Sequence, residues 1–190
     1  MTAEEMKNEL QKRLKESRFF HSLGVADTAV KLSKKFGADE KKAYIAGLLH
    51  DAAREFKNED LIFEAKKRNI DIDEVERATP LLLHAPIGAV LIKERYGVTD
   101  EEISLAIATH TVAGRNMTKL QKIIYFADMI EPNREYPGVN ELREFAQNHT
   151  LDEIMLKALS ESIIFVIEKN GLLHPDTIAA RNELLLQNPY

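Results

Sequence analysis

The chain has 190 residues, 44% of them apolar and 30% charged, the composition and length of a globular protein with one sizeable core. Its formal charge of −5 leaves no electrostatic case for bulk nucleic acid as a partner, and the absence of cysteine excludes disulfides and thiolate metal sites. The longest apolar run, "IIFVI" over 163–167, is far too short to cross a bilayer, so no membrane partner is expected, and the charged start "MTAEEMKNELQKRLKES" has no signal-peptide core, which makes the cytoplasm the expected compartment.

Met6, Leu10 and Leu14 recur at spacings of four among Lys and Glu and predict an amphipathic N-terminal helix over about 3–16. Phe19, Phe20, Leu23, Ala26, Ala29, Val30 and Phe36 form the stripe of a second helix, which Gly37 stops. A third helix over 40–50 is entered from Asp39, and its face of Ala43, Ala46, Gly47, Leu49 and His50 reads as buried. Asn58 is placed to cap "EDLIFEAKKRN", and "DIDEVERA" adds a short helix before Pro80. Pro86 suits the first turn of "PIGAVLIKERYG", which Gly97 closes. Thr99 and Glu102 have capping-box spacing ahead of "ISLAIATH", and Thr118 is placed to cap "KLQKIIYFADMIE", which Pro132 ends. Next come "VNELREFAQ", a long helix from Thr150 to about Lys169 ended by Asn170-Gly171, and a last helix after His174-Pro175. No stretch alternates as a half-buried strand would, and no repeat or Gly/Ser linker divides the chain. The expected fold class is all-α, in a single compact domain.

Five of the six histidines, His21, His50, His84, His110 and His174, lie in or beside apolar helices or tight turns, where an unpaired imidazole is costly. Asp128 is the one carboxylate inside the apolar "IIYFADMI". His149, in a polar turn between Asn148 and Thr150, is assigned no function. Singly, each of the others has an ordinary explanation as a helix-end cap or a paired charge. Together they offer imidazole and carboxylate without sulfur, a donor set that suits Fe, Mn or Zn with positions left for water and phosphate oxygens. His50 and Asp51 are adjacent, and on a regular helix would point about a hundred degrees apart. They meet one ion only if the helix ends there and the backbone turns.

In order along the chain, His21, His50-Asp51 and Asp128 resemble the H…HD…D signature of the HD-domain phosphohydrolases, which share an all-helical fold. "RFFHSLGVADTA", "AGLLHDAARE", "HAPIGA", "ATHTVAGRNMTKLQKIIYFADMIEPNREYPGV" and "HPDTIAARN" are similar to the YqeK family, bacterial symmetrical diadenosine tetraphosphate hydrolases that bind iron and leave two ADP. The resemblance runs from about Arg18 to Asn182 and is most specific over 109–139; "HTVAG" departs slightly from the expected HTTG but keeps His110. It implies the HD-domain helical fold with a core over about 18–182, and His21, His50, Asp51 and Asp128 as metal ligands. It also implies a divalent metal, iron before Mn or Zn, a dinucleoside polyphosphate substrate and ADP as product.

An anionic substrate needs cations besides a metal. Arg18 lies three residues before His21, Arg54 three after Asp51, and Arg134 in "EPNREYPG" just beyond the helix of Asp128. Guanidinium grips phosphate through paired hydrogen bonds, so these three are the candidate phosphate contacts. Asp51 is also the candidate to orient the attacking water or take its proton. His84 and His110 either hold a second metal bridged by Asp51 or contact the phosphates, one of them as general acid; the expectation is phosphate contact. Gly171, His174 and Asp176 are candidates for nucleoside contact, which the resemblance favours over a plain helix connection, and Phe56, Leu82 and Leu83 for the pocket wall. Phe and Tyr near the termini allow a homodimer. The expected activity is metal-assisted hydrolysis of diadenosine tetraphosphate. The alternatives are a phosphatase of mononucleotides on the same metal set and a non-catalytic nucleotide-binding module.

Overall fold

Capping residues set most helix boundaries in the computed structural model, which describes residues 1–187. Helix α1, Ala3–Gln11, starts in a capping box between Thr2 and Glu5. Helix α2, Glu16–Phe36, is closed by Gly37 in the left-handed region at φ 68°, and α3, Glu40–Leu49, starts where the Asp39 carboxylate accepts from the N–H groups of Lys41 and Lys42. A 3₁₀ turn over Ala52–Glu55 leads on to α4, Leu61–Lys67, and to α5, Glu74–Ala78. A further 3₁₀ turn over Pro80–Leu83 runs into α6, His84–Tyr96, closed by Gly97, and α7 follows over Glu101–Ala108. Helix α8, Lys119–Ile130, and α10, Leu151–Glu168, each begin in a capping box, Thr118 with Gln121 and Thr150 with Glu153. Between them lies α9, Val139–Asn148, and α11 spans Pro175–Gln187. Among the described residues there is no strand, and the all-α expectation holds.

Four expectations need correction. The first helix stops at Gln11, not near residue 16; the chain turns over 12–15, so Leu14 reaches the core from a turn while Arg13 pairs back to Glu9. Phe20 is 52% exposed, because the buried face of α2 runs through Phe19, His21, Ser22, Val25, Ala26 and Ala29 instead. Asn58 opens a 3₁₀ turn without a side-chain cap, and α4 begins only at Leu61. Asp100, not Thr99, caps α7: its carboxylate accepts from the N–H groups of Glu102 and Ile103 and also pairs with Lys42 at 2.9 Å, which a threonine hydroxyl does not match.

Helix α2 packs against α3 and α8, and α7 packs against α3, α6 and α8. Helix α10 lies on α8 and carries α11. One contiguous core joins Val25, Leu49, Ile92, Ile107, Phe126 and Met155 from these layers. The α2–α3 contact is backbone to backbone at Gly47, where a Cβ would stand 2.8 Å from the Ala26 Cα. That approach sets the spacing of the two helices that carry His21 and His50. His149 stacks on Phe145 with ring centroids 3.5 Å apart, an ordinary structural use. No helix is long and apolar enough to cross a membrane among the described residues.

Candidate metal centre

The third helix ends where two neighbouring side chains need it to. Leu49 is its last residue, His50 is the C-cap, and Asp51 leaves helical geometry at φ −100°, ψ 17° before the 3₁₀ turn begins at Ala52. His50 Nε2 consequently stands 3.4 Å from Asp51 Oδ2, so adjacent residues face one point. His21 joins them from the middle of α2 and Asp128 from the last turn of α8. His84 is the first residue of α6, and His110 sits in the turn just beyond α7. All are buried except Asp128, whose side chain keeps 20% exposure and marks the open side.

The imidazoles are oriented alike. His50 Nδ1–H donates to Gly47 O (2.7 Å), His84 Nδ1–H to Leu81 O (2.5 Å), His110 Nδ1–H to Ile107 O (2.7 Å), and His21 Nδ1–H to Glu131 Oε1 (3.0 Å). Every acceptor is a carbonyl or carboxylate, so each ring carries a proton on Nδ1 and turns Nε2 inward. There the Nε2 atoms confront one another: His84 Nε2 is 3.0 Å from His110 Nε2, and His50 Nε2 is 3.3 Å from His21 Nε2. His21 Nε2 also faces Asp128 Oδ1 at 2.8 Å, and His84 Nε2 faces Asp51 Oδ1 at 3.1 Å. Nitrogens packed this closely against one another and against carboxylate oxygens repel unless positive charge, as protons or a metal ion, sits among them. The donor set fits a divalent metal.

Asp51 divides the cluster into two lobes. Its Oδ2 faces His21 (3.8 Å) and His50, which also lie near Asp128; its Oδ1 faces His84 and His110 (3.8 Å). Both lobes contain a group of three potential ligand atoms within 4.8 Å of one another, His21, His50 and Asp51 in one and Asp51, His84 and His110 in the other, and a third such group, His50, His110 and Asp128, joins the lobes. Burial works to raise the Asp51 carboxyl, but the charge and hydrogen bonds of His50 and His84 outweigh it and hold Asp51 well below the carboxylate range. Asp128 is lowered in the same way, burial being overcome by His21, His50 and Arg134. His110, wholly enclosed and beside two other imidazoles, is pushed down to about 3, which favours the neutral ligand form.

Three arginines rim the open side. Arg18 Nη1 donates to Asp51 Oδ2 (2.9 Å), and Arg134 donates from Nη2 to Asp128 Oδ1 (2.6 Å) and from Nε to Asp128 O (2.8 Å). Arg54 is half-buried; its backbone N–H donates to Asp51 O (2.8 Å), while its guanidinium has no hydrogen-bonded or ion-paired partner among the described residues. Burial lowers its pKa and the like charge of Arg18 adds to this, while Asp51 and Asp128 pull the other way.

Gly171, His174 and Asp176 are not brought to this cluster. Gly171 is exposed at the end of α10, and His174 Nε2 pairs with Asp73 Oδ2 at 2.8 Å. His174 and Asp176 instead line a separate cleft of about 270 Å³ with Asp71, Asp73, Glu76, Leu82 and Thr111. The Thr177 hydroxyl ties that region to Val112 O, two residues past His110. Leu83 is core, while Phe56 is half-buried beside it.

The sequence reading missed Glu131. It is 1% exposed, accepts from His21, and takes its remaining hydrogen bonds from the N–H (2.7 Å) and side-chain amide (3.0 Å) of Asn133. Arg143 braces this loop from behind, donating to the carbonyls of Ile130 (2.9 Å), Glu131 (2.7 Å) and Arg134 (3.0 Å). The signal in the sequence was weak: a carboxylate directly before Pro132, just past a helix end.

Comparison with known proteins agrees with this geometry. The HD domain family profile matches residues 18–133, the segment that holds His21, His50, Asp51, His84, His110 and Asp128. The symmetrical bis(5'-nucleosyl)-tetraphosphatase of Bacillus subtilis is 38% identical over 185 residues, 97% of this chain and 98% of the relative. The enzyme of the same name from Halalkalibacterium halodurans is 38% identical over 174 residues, 92% of each chain. The crystal structure of an HD superfamily hydrolase from Clostridium acetobutylicum, described as involved in NAD metabolism, superposes with TM-score 0.94 at 40% identity, covering 99% of both chains.

Proposed function

The chain belongs to the HD domain family, and on that premise we propose that it hydrolyses diadenosine tetraphosphate symmetrically to two ADP. One water is consumed. The central P–O–P bond breaks, the water oxygen joins one phosphorus, the bridging oxygen leaves on the other, and the water's hydrogens pass to the two product phosphates or to solvent.

The observation that carries the reading is the pair of ligand lobes hinged on Asp51, with arginines along their open side. His21, His50, Asp51 Oδ2 and Asp128 would hold one divalent ion, and His84, His110 and Asp51 Oδ1 a second. Iron is the ion we favour, with Mn and Zn compatible with the same donors. Bound there, it supplies Lewis acidity, lowering the pKa of a water and polarising a phosphoryl oxygen.

The protein's own groups do the rest. Arg18, Arg54 and Arg134 offset the charge that gathers on the phosphoryl oxygens, and the Arg54 guanidinium has its donors free for the purpose. Asp51, held so far below the carboxylate range, is a weak base; its part is to orient the incoming water rather than to keep its proton. His84 and His110 have Nδ1 tied to the backbone and Nε2 turned to Asp51, an arrangement for ligating an ion rather than for phosphate contact. A dedicated acid is not required, since a departing terminal phosphate titrates at about 6. The cleft of His174 and Asp176 is the proposed seat of a nucleoside, with the Asp73 and Asp176 carboxylates as acceptors for sugar or base donors.

The test is the product spectrum of metal-loaded protein turning over diadenosine tetraphosphate without oxygen, with His50→Ala as control. ADP as sole product, absent in the control, is the expected result. AMP with ATP, or release of inorganic phosphate from mononucleotides, would replace the assignment with another phosphohydrolase. Tight binding without turnover would make the chain a nucleotide-binding module.

A further inference from the structure

We infer that Glu131 is the positioning residue of this centre: it holds His21 in the tautomer that leaves Nε2 free for a cation, and Gly24 makes the room in which it sits. The inference rests on the metal-site reading above. Three of the four imidazoles are fixed by a backbone carbonyl three residues back in their own segment, Gly47, Leu81 or Ile107. His21 is different. It lies inside a continuous helix, where the carbonyls are committed to the helix ladder, so its orienting acceptor has to come from elsewhere. Glu131 supplies it from 110 residues away, through a hydrogen bond of 3.0 Å.

A carboxylate is the group this niche accepts. Everything facing it is a donor: His21 Nδ1–H on Oε1, and the backbone N–H and side-chain amide of Asn133 on Oε2. An amide in its place has one oxygen for the two sides. If that oxygen serves the backbone N–H of Asn133, the NH₂ faces His21 Nδ1, which must then accept, and the ring proton moves to Nε2. That is the atom turned toward Asp128 and His50.

Gly24 lies one helical turn beyond His21, on the side of α2 that meets Glu131. A Cβ there would overlap Glu131 Oε2 and stand 3.2 Å from its Cδ and 3.3 Å from Asn133 Nδ2. Glycine is a poor residue for the middle of a helix, and its use here is explained by the carboxylate it admits. Arg143 fixes the other side by holding the carbonyls of residues 130, 131 and 134.

The experiment reads two quantities: the tautomer of His21 in metal-free protein by long-range ¹H–¹⁵N NMR, and Mn²⁺ affinity by titration. The wild type is expected to carry the His21 proton on Nδ1. Glu131→Gln should shift the proton toward Nε2 and weaken Mn²⁺ binding about 10- to 100-fold, the usual effect of removing an outer hydrogen-bond partner of a ligand. Gly24→Ala, which removes no side chain of the centre but displaces the Glu131 carboxylate, should weaken binding in the same direction; it serves as the second route if Glu131→Gln folds poorly. Added to Glu131→Ala, which vacates the space, Gly24→Ala should change Mn²⁺ affinity by less than about twofold. An unchanged His21 tautomer in Glu131→Gln overturns the inference, even if affinity falls, because the loss would then be merely structural. So does a Gly24→Ala effect of equal size in both backgrounds. The NMR reading needs no bound metal, so a wild type that binds no Mn²⁺ sinks the metal-site reading and leaves this measurement standing by itself.

Discussion

The Arg54 side chain is half-buried beside Arg18 with no acceptor for its guanidinium, and a phosphate is the group that would satisfy it. Arg54→Ala should lower kcat/KM for diadenosine tetraphosphate about 10- to 100-fold, the worth of one or two charged hydrogen bonds. Arg54→Lys should recover only part of this, because an ammonium cannot present two parallel donors. Steady-state kinetics with unchanged metal content check it, and wild-type values for Arg54→Ala would remove the residue from the site. At this scale the sequence was legible where chemistry was out of place. Asp128 in an apolar run and His50-Asp51 at the end of one pointed to the centre, and the structure brings them together. Glu131 was not legible, because a carboxylate beside Pro132 and Asn133 looks like ordinary surface; only the fold shows that it is buried against His21. His84 and His110 were visible as buried imidazoles, but not their mutual distance of 3.0 Å.

Among the helices, α3 carries the decisive geometry through where it stops and how closely it lies on α2. Its stop was readable, since adjacent ligands require the backbone to turn, and φ changes to −100° at Asp51. The closeness comes from Gly47, whose missing side chain lets α3 rest on the Ala26 backbone. Gly47→Ala would push the helices apart against a 2.8 Å contact. It should destabilise the protein by about 1–3 kcal/mol, as overpacking does, and weaken metal binding by separating His21 from His50. Denaturant unfolding and metal titration measure the two effects; a stabilised variant with intact affinity would show that the contact does not set the site. The capping boxes of Thr118 and Thr150 were plain in the sequence because hydroxyl and partner have fixed spacing. Asp100 displaced Thr99 because Lys42, 58 residues earlier, adds a charge partner that no local pattern records. The first helix fell short of residue 16 for a similar reason: Leu14 reaches the core from a turn, which periodicity alone cannot distinguish from a further helical turn.

For the whole molecule, the fold brings side chains of α2, α3, α6, α7 and α8 and the turns that flank them to one buried cluster of imidazoles and carboxylates. The all-helical class was readable from periodicity, whereas the placement of α11 was not. Thr177 fastens it behind His110, and His174 turns to Asp73 rather than to the metal cluster. The most direct measurement is an anomalous-difference map from crystals of the active protein soaked in Mn²⁺. The account predicts one peak bounded by His21, His50, Asp51 and Asp128, and a second bounded by Asp51, His84 and His110. An active crystal whose map is empty at both positions would contradict it.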